Sequence, residues 1–351
     1  MAVAALLVLT GLLVASPAVA APAAAQAAPV AATAQATQDA TASADGPADS
    51  TVKITPLGLR GGQAKIMDKV TVAGTLKPYR PGQKVRVWFF NNGKNFTGRW
   101  IQVKKGSGNF GTFKSSIFTK KGGKYAAQAK YFGRKGAEPL RPDSTVRKSW
   151  KVRFTALFPS QCGRVVRAFR VALNDLALVP SNNSCFDGKM SRAVLAYRKM
   201  NNLGRSARAS QSVVRKIFNR QGRYVVRRPD LGDHMEAPLG RQVLVFAKGR
   251  RPYAIFPMAS GAPVTPTILG TFSVYRKDPG YNSLGMYYST YFIRGYAIHG
   301  YKSVPNQPAS AGCLRTFVAD QPRIYGMTKM GQPIAVFGRA RSLPFAEFPG
   351  A

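Results

Sequence analysis

Apolar and polar residues alternate in short runs along the first half of the chain, a pattern typical of half-buried strands. Pairs such as Pro81-Gly82 and Gly122-Gly123 separate these runs and favour turns between them. Five of the runs lie at residues 70–74, 85–90, 100–103, 125–129 and 150–154. About seven strands at this spacing predict a β-sandwich over residues 51–155.

The periodicity changes to that of helices over residues 156–220. Apolar residues recur there three or four positions apart, which predicts three short helices. The groups are Val165, Phe169, Leu173 and Leu176; Met190, Val194 and Tyr197; and Val213, Val214, Ile217 and Phe218.

Strand patterns return over residues 221–340, with an exposed helix predicted around residues 320–329. The predicted strands are residues 223–227, 242–247, 253–258, 271–275, 295–298 and 333–337. We therefore expect a mainly β protein with a small α domain.

The two ends of the chain lack such patterns. Residues 1–20 are small and apolar and end in Ala18-Val19-Ala20, which fits a signal peptide with its cleavage site, although a basic start is lacking. A membrane anchor is the alternative, disfavoured because Gly11 and Pro17 break a short run. Residues 21–50 predict a flexible linker, and residues 341–351 a C-terminal tail. Export to the extracellular cell wall follows from the signal peptide.

The charge balance is extreme, with a formal net charge of +38. Such a surface attracts polyanions, including the acidic polymers of a bacterial cell wall. The positive charge is spread over three regions instead of one stripe, which argues against a specific nucleic-acid partner. For residues 51–155 the alternatives are a wall-binding spacer and a merely solvated basic surface.

The chain has three cysteines. We expect Cys162 and Cys185 to form a disulfide worth about 3 kcal/mol, as in exported proteins; two unpaired buried thiols are the alternative. Cys313 is left over as a free and reactive thiol.

Cys313 and His299 are the candidates for nucleophilic catalysis, which needs a thiol, a base and donors for an oxyanion. The N–H groups of Gly312 and Cys313 are candidates for the oxyanion hole. Gly300 lets its carbonyl approach the imidazole and fix the tautomer. A lone cysteine is also often a small buried hydrophobe. The sequence has no metal or nucleotide signature, and we predict no cofactor.

Four segments extend this site. Residues 265–270 read Thr-Pro-Thr-Ile-Leu-Gly, residues 296–300 Tyr-Ala-Ile-His-Gly, residues 308–315 Pro-Ala-Ser-Ala-Gly-Cys-Leu-Arg, and residues 331–336 Gly-Gln-Pro-Ile-Ala-Val. Their order resembles the L,D-transpeptidase catalytic (YkuD-like) family. The resemblance implies a β-sandwich catalytic domain over residues 221–340 that takes peptidoglycan stem peptides. It also implies inhibition by β-lactams, carbapenems in particular.

By this resemblance, Cys313 is the nucleophile and His299 the base of an enzyme that forms 3→3 peptidoglycan cross-links. Ser310 and Arg315 match family positions and are predicted to bind substrate. We expect Ser310 to form hydrogen bonds within the loop and not to act as a catalyst. Arg315 would hold a carboxylate or brace the cysteine loop; a solvated arginine is the alternative. Ala311 departs from the family, which has histidine there. The alternative function is therefore a weakened or inactive protein that binds peptidoglycan and anionic wall polymers. The other histidine, His234, is expected at the surface or in a turn.

The upstream segments resemble two further modules. Residues 51–155 are similar to bacterial immunoglobulin-like sandwiches. Residues 186–199 resemble the middle of the three-helix peptidoglycan-binding repeat, with Asp187 before a helix and Tyr197-Arg198 where that family has Phe-Gln. We predict a peptidoglycan-binding-like module over residues 156–220; a helical spacer is the alternative.

Overall fold

The computed structural model describes residues 50–132 and 146–340. The predicted signal peptide, nearly all of the predicted linker and the C-terminal tail lie outside the described residues. Within these residues no helix combines the length and hydropathy of a membrane span.

The described residues form strands in two blocks, with three helices between the blocks and a fourth inside the second block. The strands are β1 (Thr51–Leu57), β2 (Gln63–Lys65), β3 (Lys69–Lys77), β4 (Lys84–Asn91), β5 (Lys94–Gln102), β6 (Lys104–Lys105), β7 (Gly111–Phe118), β8 (Gly123–Tyr131), β9 (Val146–Arg153), β10 (Asp233–Pro238), β11 (Val243–Lys248), β12 (Arg251–Ala259), β13 (Gly270–Ser273), β14 (Arg276–Tyr281), β15 (Tyr287–Ile293), β16 (Tyr296–Tyr301), β17 (Leu314–Phe317) and β18 (Pro333–Phe337). The helices are α1 (Arg164–Asn174), α2 (Gly188–Met200), α3 (Gln211–Phe218) and α4 (Gln321–Met327), with a 3₁₀ turn at Pro229–Leu231.

Strands β1–β9 form two sheets around a shared core. Their orders are β1-β3-β7-β6 and β2-β9-β8-β4-β5, the arrangement of an immunoglobulin-like sandwich with two added edge strands, β2 and β5. Buried positions alternate along β3, where Val70 and Val72 point inward, and along β4, where Val85 and Phe89 do so. The predicted immunoglobulin-like sandwich is thus confirmed.

Helices α1, α2 and α3 form where the periodicity predicts them. Asp187 caps α2 by accepting a hydrogen bond from the Met190 N–H at 2.9 Å, which satisfies a donor that the first helical turn leaves free. The disulfide between Cys162 and Cys185 is present. Tyr197, expected as a family-like aromatic position, is fully buried in the core. The identity of this segment as a peptidoglycan-binding module stays a prediction.

One hydrophobic core runs from the sandwich through the helices into β11 and β12. It joins Val87 of the sandwich, Phe169 of α1 and Val194 of α2 with Val243 and Ile255 of the last block. The helices therefore bury apolar surface on both sides, and the three regions share their interior.

Strands β10–β18 form one nine-stranded sheet, in the order β13-β18-β10-β11-β12-β17-β16-β15-β14. The sheet curls until β13 faces β15, and the rings of Phe272 and Phe292 lie 5.8 Å apart. The predicted β-sandwich of this region is confirmed as a mainly β layered domain, but its layers belong to a single curled sheet.

Two predictions in this region are wrong. Residues 223–227 form no strand, because the Glu236 carboxylate accepts hydrogen bonds from the N–H groups of Arg227 (2.8 Å) and Arg228 (2.6 Å) that a neighbouring strand would otherwise engage. His234 is fully buried on β10 and is not a surface residue. Strand β10 lies between β11 and β18 inside the sheet, so its polar side chains are enclosed.

Candidate active site

Two adjacent parallel strands, β16 and β17, organise the candidate site. In their register Ile298 lies beside Leu314, and His299 lies beside Arg315. Ile298 and Leu314 are buried in the core, and because side chains alternate along a strand, His299 and Arg315 occupy the opposite face. Cys313 comes just before β17.

The thiol of Cys313 lies on the same face as His299. It packs against a small cluster formed by Met286, Tyr291 and Ala297, and Ala297 precedes His299 by two residues. The topology therefore brings together the two residues that the sequence places fourteen positions apart.

His299 is held as a neutral imidazole. Its side chain is buried, 2% exposed, and its Nδ1–H donates to the Gly300 carbonyl oxygen at 3.0 Å. This bond leaves the Nε2 lone pair available. Burial lowers the pKa of His299 to about 4; the bond to Gly300 opposes this shift and the charge of Arg315 adds to it.

Gly300 has a packing role besides its carbonyl. A Cβ at this position would lie 3.0 Å from the Gln321 Cβ and 3.2 Å from the Tyr287 Cβ. The carbonyl contact that we predicted is present, but the close packing explains why the residue is glycine.

Cys313 is a half-buried free thiol. Its Sγ lies 3.7 Å from the Gly295 carbonyl oxygen, to which it can donate. Burial raises the pKa of the thiol, and a backbone hydrogen bond at Ala297 and the charge of Arg315 counter only part of this effect. At neutral pH the resting pair is therefore a thiol and a neutral imidazole.

Ser310 organises the loop that carries the thiol. Its side chain is 2% exposed; its hydroxyl donates to the Cys313 carbonyl at 2.5 Å and accepts from the Gly312 N–H at 3.1 Å. The expected hydrogen bonds of Ser310 within the loop are therefore present, and its predicted contact with substrate stays a prediction. The Gly312 N–H is also engaged, so it is not a free oxyanion donor in this conformation.

Two threonines hold the same loop from outside, and sequence reasoning assigned them no role. Thr265 Oγ1 donates to the Ser310 carbonyl at 2.8 Å, and Thr267 Oγ1 donates to the Gly312 carbonyl at 2.7 Å. The available signal was the Thr-Pro-Thr sequence of the family-like turn, whose hydroxyls flank Pro266.

Gly312 is required by the backbone itself. Its φ is +115°, and a Cβ there would lie 2.7 Å from the Tyr296 ring, so any other residue would be strained and would clash. The preceding Ala311 is exposed. A larger side chain would fit at Ala311 but not at Gly312.

Arg315 is partly buried beside the pair. Its guanidinium lies 4.2 Å from the centre of the Tyr301 ring, and that ring also meets His299, with centroids 5.7 Å apart. Arg315 thus supplies a positive charge at the site, and its predicted contact with substrate stays a prediction. Among the side chains described, no group of three or more His, Cys, Asp or Glu is placed to hold a metal ion.

The last block is thus a curled β domain with an imidazole on β16 and a thiol at the residue that directly precedes the neighbouring parallel strand β17. The family model described as the L,D-transpeptidase catalytic domain, YkuD, matches residues 233–336. These residues form a YkuD-type L,D-transpeptidase catalytic domain.

Three solved structures illustrate the likeness. An L,D-transpeptidase from Xylanimonas cellulosilytica is 24% identical, with a TM-score of 0.48, covering 52% of this chain and 98% of that one. One from Stackebrandtia nassauensis is 16% identical, with a TM-score of 0.33, covering 53% and 98%. The catalytic domain of an Enterococcus faecium L,D-transpeptidase is 25% identical, with a TM-score of 0.27, covering 30% and 96%. Comparison with curated proteins finds no match.

Proposed function

We propose that this protein is an exported cell-wall L,D-transpeptidase that forms 3→3 peptidoglycan cross-links through a Cys313 thioester. The observation that carries the proposal is that His299 lies on β16, while Cys313 directly precedes the adjacent parallel strand β17 and packs against Ala297 on the same face. The family match over residues 233–336 supports the same reading.

In the proposed reaction, the Cys313 sulfur attacks the amide carbonyl between the third residue of a stem peptide and its terminal D-alanine. His299 Nε2 takes the thiol proton, and the Gly300 carbonyl stabilises the imidazolium through Nδ1–H. Collapse of the tetrahedral intermediate breaks the C–N bond, and His299 protonates the departing D-alanine amine. A side-chain amine of a second stem then displaces the thioester, and the thiol is regenerated.

The oxyanion of that intermediate needs donors close to Cys313. The Cys313 N–H is the proposed first donor. The Gly312 N–H can become a second donor only when its hydrogen bond to the Ser310 hydroxyl breaks. Stabilising the oxyanion with both donors therefore requires a shift in this loop.

Labelling with a carbapenem tests the proposal. Mass spectrometry of the intact native protein should show one covalent adduct, mapped to Cys313 and absent from Cys313→Ala. Ser273→Ala, an exposed substitution on β13, is the matched control and should be labelled like the native protein. Absence of an adduct on the native protein would contradict the proposal.

The second candidate is a protein that binds the wall without catalysis, and exposed Ala311 favours it because the family histidine is missing there. This candidate predicts binding to purified sacculi without acylation. Attraction to anionic wall polymers follows from the net charge of +38 and should weaken as salt rises. Equally strong retention on DNA would contradict the choice of a wall partner.

A further inference from the structure

The outer face of the five-stranded sheet carries an exposed aromatic surface, which we call the aromatic face: Trp88, Trp100, Phe132, Arg86 and Lys130. Trp100 is 53% exposed and Phe132 is 47% exposed. Exposed aromatic groups of this kind mark interaction sites in soluble proteins.

The rings of the aromatic face are arranged as one surface. Phe132 lies 5.4 Å from Trp100 and 6.0 Å from Trp88, measured between ring centroids. The backbone makes room for the Trp88 ring, because Gly98 pairs with Trp88 across the sheet and a Cβ at Gly98 would lie 2.7 Å from that ring. The indole therefore lies low over the neighbouring strand.

Two cations are built into the same surface. The Arg86 guanidinium lies 5.2 Å from the Trp88 ring and 5.5 Å from the Trp100 ring, and Lys130 Nζ lies 5.2 Å from the Phe132 ring. Among the described residues neither cation forms a salt bridge, and Arg86 Nε has no hydrogen-bond partner. Both side chains are partly exposed, although the Arg86 Nε itself is buried.

The surface continues along the sheet into a hollow of about 440 Å³. Phe90, Lys124 and Arg147 line it, and the Arg147 guanidinium lies 4.5 Å from the Phe90 ring. Aromatic rings thus alternate with cations over several strands, which suits an extended ligand that repeats both kinds of contact.

We propose that the aromatic face binds an acidic polysaccharide, whose sugar rings stack on Trp100 and Phe132 and whose carboxylates meet Arg86 and Lys130. The apolar faces of pyranose rings pack on aromatic rings, and carboxylates pair with guanidinium and ammonium groups. Asp68 is the only acidic residue within residues 50–132 and 146–155, so the described part of the sandwich has a large excess of positive charge. The choice of a wall glycan as the source rests on the proposed function.

The test uses peptidoglycan glycan strands from which an amidase has removed the stem peptides, so that alternate sugars bear a free carboxylate. The full-length protein should bind these strands more tightly than it binds neutral chitohexaose or oligo-dT. Trp100→Ala and Phe132→Ala should each weaken binding by about tenfold, the loss typical of an aromatic anchor. Trp100→Tyr should retain binding, and Phe158→Ala, which removes an aromatic group that is 64% exposed outside this surface, should bind like the native protein.

Unchanged binding in Trp100→Ala and Phe132→Ala would overturn the inference, as would equal affinity for chitohexaose or tighter binding of oligo-dT. Carbapenem labelling of the same variants separates this inference from the proposed function. If the native protein binds the glycan strands but is not labelled by carbapenem, the proposed function is contradicted and the role of the aromatic face is not. If the protein is labelled but the aromatic substitutions do not change glycan binding, the glycan-binding role of the aromatic face is contradicted and the proposed function is not.

Discussion

At the scale of single residues, burial keeps both members of the candidate pair uncharged at rest. It lowers the pKa of His299 to about 4 and raises that of the Cys313 thiol. The neutral pair and the thiolate–imidazolium pair hold the same number of protons, so pH does not change their ratio between the two pKa values.

We therefore expect the rate of carbapenem acylation to stay flat between about pH 5 and pH 8 and to fall as the pH approaches 4, where His299 gains a proton. The ultraviolet thiolate absorbance of the native protein at pH 7 should equal that of Cys313→Ala. A thiolate signal at pH 7 that Cys313→Ala lacks would show a resting ion pair and contradict the neutral one.

Replacing Ala311 tests what the absence of the family's histidine at this position does to activity. Its side chain is exposed, so Ala311→His should change the free energy of unfolding by less than about 0.5 kcal/mol. A histidine there restores a donor beside Cys313, and we expect acylation to become roughly tenfold faster. The measurement is the acylation rate by stopped flow, with Ala311→Gln as the control for size. Equal rates for native and Ala311→His would show that this position does not limit the chemistry.

At the scale of elements, α2 is joined to the catalytic domain by buried polar contacts. Lys199 is 1% exposed, and its Nζ donates to the Met258 carbonyl of β12 at 2.8 Å. Burial, with a smaller effect from the charge of Arg205, lowers the pKa of Lys199 to about 7.

We expect Lys199→Met to increase the free energy of unfolding at pH 7 by about 1–2 kcal/mol, because a buried charge is replaced by an apolar side chain of similar length. In the native protein the unfolded chain binds more protons between pH 7 and 10.5, so native stability rises with pH over this range. The gain from the substitution should therefore shrink at pH 9. Urea denaturation at both pH values measures it, and a gain that grows with pH would contradict the account.

A second contact joins α2 to the start of α4. Arg192 forms a two-bond ion pair with Asp320, at 2.7 and 2.8 Å, and Asp320 is only 4% exposed. Arg192→Met leaves that carboxylate buried without a partner and should reduce the free energy of unfolding by about 3 kcal/mol.

The control for this prediction is Arg228→Met, which breaks an exposed pair with Asp230. It should cost less than about 1 kcal/mol. Equal effects of the two substitutions in thermal denaturation would show that burial does not distinguish the pairs.

At the scale of the whole molecule, the shared core predicts cooperative unfolding. Trp88, Trp100 and Trp150 all lie in the sandwich, so tryptophan fluorescence reports that region. Cys313 is the one free cysteine, and its reaction with a thiol reagent reports the catalytic domain. Because one core joins both regions through the helices, the two probes should give the same midpoint in guanidinium. Separate midpoints would show that the regions unfold independently.

Sequence patterns predicted the elements in which buried positions recur at a regular spacing along the chain. Strands β3 and β4 alternate between buried and more exposed positions over most of their length, and the buried residues of α1 and α3 recur at helical spacing, so their periodicities identified them. Strand β10 escaped prediction because it buries His234 and Glu236, whose polar groups are satisfied by Gly232 and Tyr224. Such partners cannot be inferred from periodicity.

The sequence by itself determined the residues of the candidate site, since His299 and Cys313 stand out by their rarity and by the glycines beside them. Only the tertiary structure decided their state. Burial opposes charge on both groups, and the contacts that bury them come from β15, β16 and β17, which lie side by side only in the folded sheet. The structure likewise decided that the Ser310 hydroxyl forms its hydrogen bonds within the loop, where it accepts from the Gly312 N–H. Buried donors and acceptors pair with the partners that folding places within reach.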